Sequence, residues 1–169
     1  MKGFIIVLCV SNAVFGMTAA DAQTDVFMRA VSYALTGTDN GEANAVDRRK
    51  CVFDVFGDVF HLNNVHTDRI EIQRWKQTRL AANPTFPSEF VTVTIHGDET
   101  VFETTTPGAE DDGSEAARIG RRVRPDLYQP SHISSKERTL RLPTADIARV
   151  ARAWRYIYDH GCVGKKSPI

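Results

Sequence analysis

The first regular pattern in the chain is helical. Between Thr24 and Leu35 the apolar residues recur in steps of three and four, which places them on one face of a helix. These residues are Val26, Phe27, Ala30, Val31, Ala34 and Leu35. Glycine, threonine and asparagine at 36–41 end the helix with turn chemistry. The polar stretch from Gly41 to Asp47 has no periodicity, and we expect a loop there.

Strand patterns occupy the middle of the chain, where β-branched and aromatic residues are frequent. The predicted strands are 51–56, 59–62, 69–73, 90–95 and 100–104. We expect the turn at 57–58 to join the first two as a tight hairpin, and the turn at 96–98 to join the last two. Before the second turn, Val91, Val93 and Ile95 alternate with other residues and predict one buried face.

The last third of the chain predicts two more helices and a short strand at 139–142. The middle helix follows a run of acidic residues and ends before Pro125, and a loop then extends to Ser135. The final helix begins with Thr144 as its N-cap and is ended by Gly161. Its apolar stripe consists of Ile147, Val150, Ala151, Trp154, Ile157 and Tyr158.

The order of these elements predicts an α+β fold, because hairpins argue against parallel βαβ units. We expect a mainly antiparallel sheet of about five to six strands. The N-terminal, middle and C-terminal helices should pack on this sheet.

The first 22 residues have the features of a secretory signal peptide. Lys2 precedes an apolar run, and Ala20 and Ala22 form an Ala-x-Ala cleavage site before Gln23. A cut after Ala20 is a close alternative. An uncleaved anchor is disfavoured, because a spanning helix needs about 20 apolar residues and polar residues interrupt this run. We therefore expect residues 1–22 to be removed and 23–169 to form one domain, periplasmic or secreted, with no remaining transmembrane segment.

Cleavage would leave two cysteines, Cys51 and Cys162, because Cys9 lies in the apolar run. An even pair in an exported protein predicts a disulfide bond. Two free buried thiols are the alternative.

Charge is balanced over the whole chain, with 21 basic and 21 acidic residues, but it is divided unevenly. Residues 23–114 carry 8 Lys and Arg against 15 Asp and Glu, a balance of −7, whereas residues 115–169 carry 12 against 5, a balance of +7. The two halves either neutralise each other in the fold or leave a basic surface for an anionic partner. Balanced charge and export together argue against nucleic-acid binding.

Catalytic signatures are missing from the sequence: it has no G-x-S-x-G, S-x-x-K, H-E-x-x-H or C-x-x-C motif. His61 and His66, with Asp68 nearby, span a predicted turn and are the best candidates for a metal or hydrolytic site. A metal site needs three or four convergent ligands, which this spacing does not show. Surface histidines are the favoured interpretation, and we predict no metal and no cofactor.

Two stretches, 63–70 and 154–165, resemble small exported bacterial proteins of uncharacterised function. The resemblance implies a bacterial envelope setting and no particular activity.

We therefore expect a non-enzymatic envelope protein that binds an anionic or protein partner. Its candidate binding face is formed by Arg149, Arg152, Arg155 and Tyr156 on the final helix, since arginine and tyrosine are common in binding surfaces. The alternative is a small hydrolase or metal-dependent enzyme that uses His61, His66 and nearby acids.

Overall fold

The computed structural model describes residues 19–40, 43–77, 87–109 and 114–167, and it confirms an α+β fold with antiparallel sheets. The helices in these ranges are α1 (Ala19–Thr36), α2 (Glu115–Val123) and α3 (Ile147–His160). The strands are β1 (Ala43–Asp47), β2 (Val52–Val55), β3 (Asp58–His61), β4 (Glu71–Lys76), β5 (Glu89–His96), β6 (Phe102–Thr106), β7 (Ser131–Ser135) and β8 (Glu137–Leu142).

The strands form two antiparallel sheets, not the single sheet that the sequence predicts. One has the order β1-β2-β3-β6-β7 and the other the order β4-β5-β8. The predicted hairpin between β5 and β6 is wrong, because β5 pairs with β4 and β8 whereas β6 pairs with β3 and β7.

The two sheets share one corner. β7 and β8 are separated by Lys136 alone, so they form one bent strand that pairs first with β6 and then with β5. Backbone hydrogen bonds continue around the bend, from Gly97 N to Lys136 O (2.9 Å) and from Val101 N to Ser135 O (2.9 Å). Gly97 is required at this corner because a Cβ there would clash with the backbone carbonyl oxygen of Asn64.

Strands β1 and β7 lie where the sequence predicts loops. Most of their side chains are exposed, so neither segment has an apolar face from which a strand can be recognised. Both are edge strands held by backbone pairing. The first hairpin is confirmed, but its turn is Phe56-Gly57, with φ of 56° and 85°, and Val55 pairs with Asp58. Positive φ at both central residues is the geometry of a type I′ turn.

Helices α1 and α3 pack against each other, α1 also contacts β1, β2 and β8, and α3 also contacts β4. The expected packing of the middle helix on the sheet is wrong: α2 packs mainly against the 3₁₀ turn that follows it and leaves Ile119 and Val123 exposed. Asp146, not Thr144, caps α3 by accepting the Arg149 amide at 2.8 Å. Gly161 ends α3 with an extended φ of −170°, and the Phe27 ring leaves no room there for a side chain.

The core lies between the sheets and the helix pair. The predicted face of β5 is confirmed, since Val91, Val93 and Ile95 are fully buried. Other buried members are Val31, Phe53, Phe60, Phe102, Leu142, Val150, Trp154 and Ile157. Within the described ranges, no helix is both long enough and apolar enough to cross a bilayer. Residues 1–18 of the predicted signal peptide lie outside these ranges, and cleavage before Gln23 would shorten α1.

Candidate functional site

The structure places three of the four predicted binding residues on one groove. Arg149, Arg152 and Tyr156 line a depression of about 410 Å³ between α1 and α3. Arg155 lines a different cavity, between α3 and β4. A helix advances about 100° per residue, so steps of three drift by about 60° each and carry Arg155 away from Arg149. Tyr156 returns to the same side because seven residues complete nearly two turns.

The other wall of this groove, which we call the α1–α3 groove, comes from α1 and the turn after it. Arg29 and Tyr33 contribute a cation and an aromatic ring, while Ala30 and Ala153 leave the floor shallow. Val26 and Asp39 complete the lining. The α1 wall was not predicted from the sequence, because the apolar residues of α1 were assigned to the core and Arg29 lies outside the apolar stripe.

Arg149 has a structural role, because its side chain contacts the end of α1 and the turn after it. Its guanidinium donates a hydrogen bond to the Asp39 carboxylate and lies 4.2 Å from the centre of the Tyr33 ring. The hydrogen bond to Asp39 raises the pKa of the Arg149 guanidinium above its ordinary value. Arg149 therefore joins α3 to the end of α1, and its charge is already matched by an acid.

Arg152 differs from Arg149 in its surroundings. Within the part of the chain that the structure describes, no acid lies at ion-pair distance from Arg152, whereas Arg29 pairs with Asp25 at 2.6 Å. Tyr156 is held beside the groove by stacking on His160, with ring centres 3.9 Å apart. Among the described residues, the groove thus contains one guanidinium without an acid partner, Arg152, together with a fixed aromatic ring, Tyr156.

Ion pairs between the acidic and basic halves of the sequence account for part of the remaining charge. Besides Asp39 with Arg149, Asp58 lies 3.5 Å from Arg138 and Glu99 lies 2.9 Å from Lys165. These pairs show that the two halves do neutralise each other in part, and Arg152 is outside them.

The two histidines of the alternative enzymatic hypothesis contact different acids. His61 Nε2 lies 3.2 Å from Glu103 Oε1 without forming a hydrogen bond of good geometry. His66 is 1% exposed, and its Nε2 lies 3.1 Å from Asp98 Oδ2. No group of three or more His, Cys, Asp or Glu side chains in the described residues is arranged to hold a metal ion.

His66 also bonds to the C-terminal segment. Its Nδ1 lies 3.1 Å from the Ser167 hydroxyl, so Ser167, His66 and Asp98 form a hydrogen-bonded chain. In the serine-hydrolase arrangement the hydroxyl bonds to Nε2 and the acid to Nδ1, which is the reverse of the order here. The backbone amide of Ser167 donates to Asp68 at 3.1 Å and holds the pKa of that carboxyl below its ordinary value of 3.8.

The predicted cysteine pair lies beside this segment. The sulfur atoms of Cys51 and Cys162 are at bonding distance, 2.16 Å, and both residues are buried. The bridge joins Cys51, directly before β2, to Cys162, two residues after the end of α3. With His66 and Asp68, it fixes the end of the described chain against the β3–β4 connection.

Comparisons with known proteins add no assignment: no protein-family model, curated protein or solved structure matches this chain.

Proposed function

We propose that this chain is an exported, non-enzymatic binding protein of the bacterial cell envelope, and that the α1–α3 groove holds an anionic group of its partner. The observation that carries the proposal is Arg152, a guanidinium with no acid at ion-pair distance among the described residues, in an open groove of about 410 Å³. A planar guanidinium binds carboxylate or phosphate through two parallel hydrogen bonds.

Export is supported by the leader pattern of residues 1–22 and by the paired Cys51 and Cys162. Disulfide bonds persist in oxidising compartments such as the bacterial periplasm. The resemblance of segments 63–70 and 154–165 to exported bacterial proteins supports the same location.

The groove favours binding over catalysis. Its floor is formed by alanines and tyrosine, and its charged groups are mostly arginines, which stay protonated at all physiological pH values. General acid–base chemistry needs a group whose pKa is near the working pH. Arginine cannot supply one, so its role here is to bind and orient an anion.

The test is cross-linked capture of the tagged protein from a cell-envelope fraction, read by mass spectrometry. We expect one partner in fixed ratio with the wild type. Arg152→Glu should lose it, because the substitution places a carboxylate where the partner's anion would bind. Arg155→Glu is the matched control, since it makes the same charge change on the other side of α3, and it should retain the partner.

Thermal denaturation of both variants separates lost binding from lost folding. If Arg152→Glu recovered as much of the partner as the wild type, the α1–α3 groove would not be the binding site. Failure to enrich any partner with the wild-type protein would contradict the interaction function as a whole.

A further inference from the structure

The solvent side of the three-stranded sheet carries a second depression, separate from the α1–α3 groove. It has a volume of about 290 Å³, and the described residues that line it all belong to β4, β5 or β8. Side chains alternate across a strand. Val91 and Val93 of β5 therefore fill the core, while their neighbours Phe90 and Thr92 face this depression.

Two aromatic residues form one row of this outer face. Trp75 on β4 lies directly opposite Phe90 on β5 in the strand register. The Trp75 side chain is 52% exposed, and its Nε1 donates a hydrogen bond to Thr92 Oγ1 at 3.0 Å. This bond orients the indole and uses its one polar atom, so the ring presents a flat apolar surface to solvent.

The next row across the sheet is polar. Gln73, Thr92 and Arg141 are register neighbours on β4, β5 and β8. Beyond them, the hydroxyls of Thr94 and Thr139 lie 3.0 Å apart. Amide, hydroxyl and guanidinium groups therefore stand beside the aromatic row. Arg141 has no acid at ion-pair distance in the ranges that the structure describes.

We propose that this outer face of β4, β5 and β8 binds an acidic oligosaccharide. A sugar ring has an apolar C–H face and an edge of hydroxyl groups, which match the Trp75 row and the Gln73–Thr92–Arg141 row. Arg141 takes the carboxylate of a uronic acid, because a guanidinium and a carboxylate form paired, charge-assisted hydrogen bonds. The volume is at the low end for ligand pockets, which suits one sugar ring of a longer chain.

The polar row distinguishes a sugar from other occupants. A protein or bilayer would cover a wider contiguous apolar patch, as exposed apolar surfaces for such partners generally are. Among the residues that the structure describes on this face, the apolar side chains are confined to the Trp75–Phe90 row, and hydrogen-bonding groups begin one residue pair away.

The test is titration of the full protein with oligogalacturonate and, as the neutral counterpart, with cellopentaose. The chain has two tryptophans, and Trp154 is 2% exposed, so acrylamide quenching reports mainly on Trp75. We expect oligogalacturonate to protect Trp75 from acrylamide. Cellopentaose should bind about tenfold more weakly because it offers Arg141 no carboxylate.

Calorimetric titration of variants assigns the site. Trp75→Ala and Arg141→Gln should each weaken oligogalacturonate binding by about tenfold or more. Arg74→Gln is the matched charge control, since Arg74 is exposed on the opposite side of β4. This control should bind within about twofold of the wild type.

Absence of binding to about 10 mM oligogalacturonate would overturn the proposal, since a small open site still supports weak affinity. Unchanged binding by Trp75→Ala would also overturn it. An equal loss with Arg74→Gln and Arg141→Gln would show charge attraction without a site, and equal affinity for cellopentaose would overturn the acidic assignment. Arg152→Glu should leave this binding unchanged, so the test is independent of the α1–α3 groove.

Discussion

The Nδ1 atom of His66 lies 3.1 Å from the hydroxyl of Ser167, and this contact brings together two distant stretches of the chain. Nearby, Val163 N donates to Asn63 Oδ1 at 2.8 Å, and Lys165 N donates to Val65 O at 2.9 Å. These hydrogen bonds join segments 63–70 and 154–165, with Ser167 just beyond them, and hold the two segments against each other in the fold.

We predict that His66→Ala lowers the free energy of unfolding by about 2–4 kcal/mol. The substitution leaves a cavity and removes the hydrogen-bond partner of both Asp98 and Ser167. Urea denaturation measures the effect. His132→Ala is the control, because His132 is 58% exposed and should change stability by less than about 0.5 kcal/mol. If a hydrolytic activity disappeared with His66→Ala while stability was unchanged, the enzymatic alternative would regain support.

The contact between Asp68 and the Ser167 amide predicts a pH dependence. A carboxyl whose pKa is lower in the folded than in the unfolded state stabilises the fold above its ordinary pKa of 3.8. That contribution disappears as pH falls through the lowered pKa. Stability measured from pH 6 to pH 2 should therefore fall less steeply in Asp68→Asn than in the wild type. Parallel curves for the two proteins would show that the contact is absent in solution.

The disulfide bond should be a major source of stability. It links residues separated by 111 positions, and the chain-entropy model assigns about 4–5 kcal/mol to a loop of that length. We expect the Cys51→Ser and Cys162→Ser double variant to lose most of this amount in urea denaturation. The protein is alkylated under native and denaturing conditions, without reductant, and analysed by mass spectrometry. We expect neither Cys51 nor Cys162 to be alkylated. Alkylation of both would contradict the disulfide bond.

The turn between β2 and β3 offers a stabilising substitution. Phe56 has a φ of 56° and is 76% exposed, so it bears the cost of a left-handed conformation with little packing in return. Phe56→Asn should raise stability by about 0.5–1 kcal/mol, because Asn-Gly is the preferred type I′ sequence. Thermal denaturation measures the change, and a lower Tm would indicate that the Phe56 side chain has a contact worth more than the strain.

Sequence pattern predicts those elements of this fold that have a buried face. The alternation of Val91, Val93 and Ile95 and the stripe of α3 marked a strand and a helix correctly. Strands β1 and β7 were missed because their pairing is made by backbone groups, which the side-chain pattern does not report. The division into two sheets was also not predicted, since turn residues at 96–98 are compatible both with a hairpin and with a corner where the chain passes from one sheet to the other.

For the candidate sites, too, the sequence pattern does not show which residues lie together in the fold. The arginines of α3 were visible in the sequence, but a spacing of three does not reveal that Arg155 leaves the face of Arg149. The outer face of the three-stranded sheet was not predicted, because its residues come from three separate strands. The register places Trp75 opposite Phe90 and places Arg141 opposite Thr92 in the next row.

The bent strand formed by β7 and β8 makes the chain intolerant of length changes at one point. Lys136 is the only residue between the two strands. If β7 keeps its pairing with β6, an insertion of one residue there would reverse the alternation along β8, turning Leu140 and Leu142 toward solvent and Thr139 and Arg141 into the core. The length of the connection between β7 and β8 is therefore constrained as tightly as the identity of the side chains in the core.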